Sequence, residues 1–135
     1  MAKIVIVDKK DKVIGAEEKE AVQQKGLIHR IIRIILVNSK GQIYLQKRGH
    51  NKSTWPNRWD QSVGGHVDEG EDYKKAALRE AKEELGIANL SLKPLARFFQ
   101  NEAGGNFKMK RFNMLYEAKY DGKITSAQDE ISGGS

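Results

Sequence analysis

Seven carboxylates lie within GGHVDEGEDYKKAALREAKEELGI, the segment from Gly64 to Ile87. Four basic residues share this segment, so its net charge is −3, and the rest of the chain carries +9 within an overall charge of +6. On a helix, Glu80, Glu83 and Glu84 stand at i, i+3 and i+4 and share one face. Three carboxylates this close repel one another unless a cation neutralises them. Ligands that are all oxygen favour a hard ion such as Mg²⁺ or Mn²⁺.

The same acidic run could instead be a solvated helix surface, balanced by Lys82 and Arg79. Two features favour a cation site. The preceding loop is rich in glycine, so its backbone could approach a ligand closely. Arg79 can also reach back to an acid in that loop, with Glu71 the natural candidate. The basic remainder of the chain, whose pI is about 9.5, favours anionic partners such as phosphates, nucleotides or RNA.

Length and composition limit the class of protein. A chain of 135 residues predicts one domain, spanning residues 1–135, with room for a buried core. The absence of cysteine excludes disulfides, thiolate nucleophiles and cysteine-ligated zinc. The apolar run near the N-terminus is too short for a signal peptide or a membrane span. We therefore expect a cytoplasmic protein that has no membrane partner.

Strands surrounding one helix predict an α/β (α+β) fold. We expect strands over residues 3–8, 92–102 and 107–120, and a hairpin over residues 29–48 with its turn at residues 38–41. Asp72 is the expected N-cap of a helix that runs to about Leu85 and stops at Gly86. Residues 13–26 remain ambiguous, and residues 49–61 predict a polar loop that carries both tryptophans. Asp129 and Glu130 are placed in a late loop.

Gly65, Glu71 and the run from Arg79 to Ile87 have the spacing G-x5-E-x7-R-E-U-x-E-E-x-G-U, which resembles the Nudix box. Every fixed letter matches, and the soft departure is Ala81, where a bulkier aliphatic residue is usual. The resemblance covers most of the chain and implies an α/β/α sandwich with a mixed sheet. It implies that Glu80, Glu83 and Glu84 are catalytic and bind the metal, and that one of them is also a base. Gly64 would bind the metal through its carbonyl. The residues implied to support the structure of the box are Gly65, Glu71, Arg79 and Gly86.

The function that this resemblance implies is hydrolysis of a diphosphate linked to another group X, with Mg²⁺ or Mn²⁺ as cofactor. A small-molecule diphosphate is then the substrate, and nucleic acid enters only as capped RNA or as nucleotide. Several basic and aromatic side chains could contact that substrate, and we expect one or two of the basic ones to do so. The alternative for each is a surface charge or loop packing: Arg48, Lys52, Trp55, Arg58, Arg97 and Lys110. Glu130 is a candidate additional base.

The stretch from His29 to Glu71 also resembles isopentenyl-diphosphate isomerase, through its His-Arg opening, its Gln-Lys-Arg ending and its Trp-Pro-x-x-Trp loop. The isomerase uses a cysteine where this chain has Gly64, so we reject isomerase activity. Histidines matching His29 and His66 bind a metal in the isomerase, but its additional acids are missing here, so we expect structural roles for both. A non-catalytic nucleotide- or RNA-binding module is the other alternative, and the intact carboxylate cluster argues against it.

The C-terminus departs from the family pattern. The resemblance implies a further strand and a final helix after the stretch DEISGG, whereas this chain stops at Ser135. We therefore expect the C-terminal helix to be missing or truncated. A sheet face left uncovered in this way could favour a homodimer.

Overall fold

A mixed β-sheet forms the centre of the molecule. The computed structural model describes residues 3–47, 59–60, 63–104, 107–122 and 129–131. In chain order the elements are β1 (Ile4–Val7), β2 (Val13–Glu17), α1 (Lys19–Lys25), β3 (Ile28–Val37), β4 (Ile43–Lys47), β5 (Trp59–Asp60), β6 (Val63–His66), α2 (Tyr73–Leu85), β7 (Lys93–Gly104), β8 (Phe107–Lys119) and β9 (Asp129–Ile131).

Strand β3 organises the sheet because it is paired along both of its edges. On one side it runs parallel to β8 over ten residue pairs, and β7 then pairs antiparallel with β8. On the other side β6 pairs antiparallel with the middle of β3, between β1 at one end and β4 at the other. The glycine-rich strand β6 is therefore held beside the central strand of the fold.

The two helices cover opposite faces of this sheet. Side chains alternate between faces along a strand, so Val5 and Val7 of β1 point away from Ile4 and Ile6. Val5 and Val7 belong to the main core with the buried residues of α2, whereas Ile4 and Ile6 pack with Val22 of α1. The resulting layers are helix, sheet and helix, as the predicted α/β/α sandwich requires.

Helix α2 has the bounds that its end residues predict. The Asp72 side chain accepts a hydrogen bond of 2.8 Å from the Lys75 amide, and this caps the first turn. Gly86 adopts a left-handed conformation with φ of 71°, which glycine tolerates and which ends the helix. Apolar residues at helical spacing are buried against the sheet: Ala76, Ala77, Ala81 and Leu85.

Three parts of the chain differ from the sequence prediction. The ambiguous stretch over residues 13–26 forms strand β2 and helix α1, so the described residues contain two helices and not one. Asp129 and Glu130 were expected in a loop, but they lie in β9, because that strand pairs with β4 and gains its hydrogen-bonding ladder there. Trp59 was likewise expected in a loop and forms β5 through pairing with Lys47.

Candidate active site

The loop before α2 is fixed by backbone hydrogen bonds on both sides. The Val5 amide of β1 donates to the Val67 carbonyl at 2.9 Å, and the Glu69 amide donates to the Lys3 carbonyl at 2.8 Å. The Val67 amide donates to the carbonyl of Arg30 in β3 at 3.1 Å. Strands β1 and β3 therefore set where this loop lies relative to the sheet.

Arg79 joins the helix to this loop. Its Nε donates to Oε2 of Glu71 at 2.7 Å, and its Nη2 donates to Oε1 of Glu71 at 3.0 Å and to the His66 carbonyl at 3.0 Å. Two parallel bonds between a guanidinium and a carboxylate fix geometry as well as adding energy. Oε1 of Glu71 also accepts from the Asp68 amide at 3.0 Å, which closes the turn from the inside.

Gly65 allows the helix carboxylate to approach β6. A Cβ atom built on Gly65 would lie 2.2 Å from Oε2 of Glu80, closer than real Cβ contacts permit. Any other residue here would push the carboxylate away. Glycine at this position therefore has a steric cause, which is the contact between the strand and the Glu80 side chain.

Glu80 and Glu83 converge on a single nitrogen. Nη1 of Arg79 donates both to Oε1 of Glu80 and to Oε2 of Glu83, the second at 3.2 Å. The Glu80 side chain is 14% exposed and that of Glu83 is 59% exposed, so one carboxylate is held inside and the other reaches solvent. Glu84 is half-buried. Two carboxylates that already meet at one positive charge are the kind of oxygen donors that a divalent ion requires.

A complete metal shell is not already assembled, at least in the described residues. No group of three or more histidine, aspartate or glutamate side chains is arranged there to hold an ion. The Arg79 guanidinium is the positive charge between Glu80 and Glu83. The oxygen atoms available here fit a hard divalent ion, since they belong to the carboxylates of Glu80 and Glu83, the first of which lies beside the backbone of Gly65.

The charges of Arg79 and Glu71 in the loop–helix junction stabilise one another. Burial alone would raise the pKa of Glu71, but hydrogen bonds from Arg79 and from the Asp68 amide outweigh it and lower that pKa. The hydrogen bonds to Glu71 raise the pKa of Arg79 above its usual value, against the opposing effect of burial. Burial raises the pKa of Asp68, and the nearby Arg79 charge only partly offsets this. The ionised Arg79–Glu71 pair is thus the stable state at neutral pH.

His29 and His66 lie side by side on the face that α1 covers. Their ring centroids are 5.6 Å apart, and Nδ1 of His29 lies 3.1 Å from the Leu27 carbonyl. Burial lowers the pKa of His29, and burial together with the neighbouring His29 lowers the pKa of His66 to about 3. Both imidazoles are therefore neutral near pH 7. No acidic side chain completes a metal-binding group with them among the residues described.

A polar network that the sequence analysis missed runs across β3, β7 and β8 on the face of the sheet that α1 covers. Asn113 is fully buried, and its Oδ1 accepts from Nε of Arg33 at 2.8 Å. Its Nδ2 donates to Oε1 of Gln100 at 3.3 Å, and that oxygen also accepts from Nε of Arg111 at 2.8 Å. The one sequence signal was an asparagine within the strand run RFNMLYEA. Arg33 pairs across the strands with Gly64, which brings this network beside β6.

The predicted substrate contacts fall into two groups. Arg97 lies on β7, where its Nη1 donates to Oδ2 of Asp11 at 3.1 Å, and Lys110 lies on β8 opposite Ile28. Glu130 lies in β9 opposite Leu45 of β4. Four predicted contacts lie outside the described residues: Arg48, Lys52, Trp55 and Arg58.

A mixed sheet between two helices, with a carboxylate-bearing helix held against a glycine-rich strand, defines a protein of the α/β/α sandwich class. The family model described as NUDIX domain matches residues 27–134, which is well over half of the chain. The chain belongs to the Nudix family and is a hydrolase acting on phosphoric anhydride bonds. Members of this family generally hydrolyse diphosphates and generally use a divalent metal ion.

Relatives agree with this placement. An uncharacterized Nudix hydrolase of Pseudomonas aeruginosa is 36% identical over 96% of this chain and 74% of its own length. An isopentenyl-diphosphate Delta-isomerase of Serratia proteamaculans is 33% identical over 98% of this chain and 74% of its own length. The crystal structure of a Deinococcus radiodurans protein superposes with a TM-score of 0.75 at 30% identity, covering 96% of this chain and 82% of that one. Neither described helix is long and apolar enough to cross a membrane.

Proposed function

We propose that the chain acts as a single cytoplasmic domain that hydrolyses a diphosphate linked to another group X, in a reaction that depends on Mg²⁺. The observation that carries this proposal is the convergence of Glu80 and Glu83 on one Arg79 nitrogen, directly beside Gly65. An acidic pair positioned by a half-buried bidentate ion pair has no evident use in packing. It is suited to holding a cation next to a phosphate.

The side chains that would hold the ion are Glu80, Glu83 and Glu84, with the carbonyl of Gly64. Oxygen donors of this kind bind Mg²⁺, and Mn²⁺ can substitute. The chemistry that such an ion supplies is neutralisation of the phosphate oxygens and a lower pKa for a water molecule.

The remaining work belongs to the chain's own residues. Glu83 is the more exposed carboxylate and has the longer contact to Arg79, so it is the better candidate to take the proton from the attacking water. Arg79 and Gly65 keep Glu80 at the edge of β6. Water adds to one phosphorus, the P–O–P bridge breaks, and the two phosphate products separate, so the enzyme's main tasks are positioning and charge stabilisation.

Positive charge for the rest of the substrate is available on the face of the sheet covered by α1. Arg33 and Arg111 are fixed there through Asn113 and Gln100, and guanidinium groups recognise phosphate oxygens. The same role remains predicted for these basic residues: Arg48, Lys52, Arg58, Arg97 and Lys110. For Trp55 the prediction is contact with the organic group X. Replacing Arg111 by glutamine should raise KM more than it lowers kcat if this face binds substrate.

A substrate panel tests the proposed function. The protein is incubated with nucleoside diphosphate derivatives, dinucleoside polyphosphates, capped RNA and prenyl diphosphates, with and without Mg²⁺. Released phosphate, pyrophosphate and organic product are measured. Metal-dependent turnover that is lost in Glu83→Gln supports the proposal and identifies X. Tight binding of one ligand without turnover would replace it with a binding module.

Isomerase activity remains the alternative from a different class of chemistry, because a relative named as an isomerase is 33% identical to this chain. The absence of any cysteine argues against it, since Gly64 stands where the isomerase carries that residue. Conversion of isopentenyl diphosphate to its allylic isomer, with no phosphate released, would favour the isomerase over the hydrolase.

A further inference from the structure

Asp11 is a charged residue buried in the turn between β1 and β2. Its side chain is 2% exposed, and its backbone has a positive φ of 64°, which is uncommon for a residue other than glycine. Asp8 builds the turn, because its Oδ1 accepts from the Lys10 amide at 2.8 Å and from the Lys12 amide at 3.0 Å. The turn therefore holds the Asp11 carboxylate in one place, directed into the protein.

Three side chains from distant parts of the chain meet the Asp11 carboxylate. Nε of Arg30 donates to Oδ1 at 2.7 Å, the Tyr73 hydroxyl donates to Oδ2 at 2.7 Å, and Nη1 of Arg97 donates to Oδ2 at 3.1 Å. Nη2 of Arg30 also donates to the Asp11 carbonyl at 2.7 Å, and its guanidinium lies 4.7 Å from the centre of the Tyr73 ring. A buried carboxylate needs such partners, because an unpaired one is costly.

Tyr73 connects this cluster to the candidate active site. It is the first residue of α2, and Glu80 follows two turns later on the same rigid helix, about 10 Å along its axis. Strand β1 and Lys3, which directly precedes it, also make the two backbone bonds that hold the loop at Val67 and Glu69. The hairpin of β1 and β2 thus fixes the loop through backbone hydrogen bonds. It fixes the start of the helix through the bond between Asp11 and Tyr73.

We propose that Asp11 is a positioning residue for the box carboxylates, acting through the Tyr73 hydroxyl. The hairpin that carries it precedes residues 27–134, the part matched by the Nudix family model, so nothing in that match assigns it a role. The bond sets the angle at which α2 leaves the loop, and hence where Glu80 and Glu83 stand relative to Gly65. This inference rests on the proposed metal-binding role of those carboxylates.

Tyr73→Phe is the sharpest variant, because it removes one hydroxyl and leaves the ring under Arg30. Mn²⁺ binding to the whole chain is measured from the electron paramagnetic resonance signal of the free ion. This measurement needs no substrate and reports on the carboxylates directly. Tyr116→Phe is the matched control, since it removes a hydroxyl from another tyrosine of the main core, outside the Asp11 cluster. Thermal unfolding of each variant measures any loss of stability separately.

We expect Tyr73→Phe to remain folded and to bind Mn²⁺ about tenfold more weakly, the lower end of the loss seen when groups bonded directly to metal ligands are removed, because Tyr73 acts on the ligands through the helix. Asp11→Asn should weaken binding similarly, because the amide that replaces one oxygen no longer accepts the same bonds. Tyr116→Phe should bind as the unmodified chain does. Suppose that folded Tyr73→Phe binds Mn²⁺ within twofold of the unmodified chain while Glu83→Gln loses binding. This result would overturn the positioning role and leave the proposed function intact. Absence of Mn²⁺ binding in the unmodified chain would overturn both.

Discussion

Gly65 and Glu80 are in such close contact that no side chain fits between them: a Cβ on Gly65 would lie 2.2 Å from the Glu80 Oε2 atom. The strand and the helix that form the candidate site meet at this point. The backbone of Gly65 in β6 therefore limits where the Glu80 carboxylate of α2 can lie. Substitution of Gly65 tests how strictly activity depends on that location.

Gly65→Ala should lower the turnover rate by roughly 10- to 100-fold, because a displacement of about 1 Å at a catalytic group can cost that much. Stability should change little, since the atom that must move is the free end of a flexible side chain. Steady-state kinetics and thermal unfolding measure the two effects. Gly15→Ala is the matched control, because a Cβ there meets nothing within 4 Å. Equal activity of the two variants would contradict a strict placement of Glu80.

Arg79→Lys should reduce the free energy of unfolding by roughly 1.5–3 kcal/mol, because lysine cannot reproduce the fork that binds both Glu71 oxygens and the His66 carbonyl. Urea unfolding measures this difference. Arg97→Lys provides the control, since Arg97 is 54% exposed and makes one hydrogen bond of 3.1 Å to Asp11, so this change should cost less than Arg79→Lys. A loss of similar size in both variants would mean that the fork geometry at Arg79 is unimportant.

The Glu71 carboxylate should make stability depend on pH. Its pKa in the folded protein is below the usual value of 4.5, so its contribution is present in full above pH 4.5 and is lost as the pH falls through the lower, folded value. The unfolding free energies of the unmodified chain and of Glu71→Gln should therefore differ most near neutral pH and converge in acid. Urea midpoints between pH 3 and pH 7 test this, and parallel curves would argue against an ionised Glu71.

Asp72→Ala should cost about 1 kcal/mol of stability, because it removes the side-chain acceptor for the Lys75 amide at the start of α2. Asp72→Asn should retain most of that stability, since asparagine caps helices as well as aspartate does. Thermal unfolding of both variants separates the hydrogen bond from the charge. If the asparagine variant lost as much as the alanine variant, the attraction between the carboxylate and the helix dipole would be the dominant effect.

Local chemistry explains why α2 was predictable. Asp72 and Gly86 mark its ends through bonds made within one turn, and the apolar positions between them repeat at helical spacing. Helix α1 was missed because its sequence KEAVQQK buries one apolar side chain, Val22, whose partners Ile4 and Ile6 come from another element. A short helix stabilised from outside has little signal of its own.

Asp11 was missed for a related reason. Among the lysines of KKDK it has the appearance of a solvated turn residue, and its burial follows from partners 19, 62 and 86 positions further along the chain. The network around Asn113 is equally non-local, since Arg33 lies 80 positions away. The box itself was recognised because its spacing is fixed within one loop and one helix.

The parallel pairing of β3 with β8 has a consequence for the order in which the protein can fold. The first pair, Ile28 with Lys110, joins residues 82 positions apart, and the last joins Val37 to Lys119. Closing so long a loop is entropically unfavourable, and folds dominated by such pairings form slowly. On the ribosome, β7, β8 and β9 follow α2 in the chain, so the helix leaves the exit tunnel before three of the nine described strands do. The part of the main core that β8 completes, including Tyr116 and Ala118, is then missing, so some apolar surface stays exposed to chaperones or other nascent chains until β8 emerges.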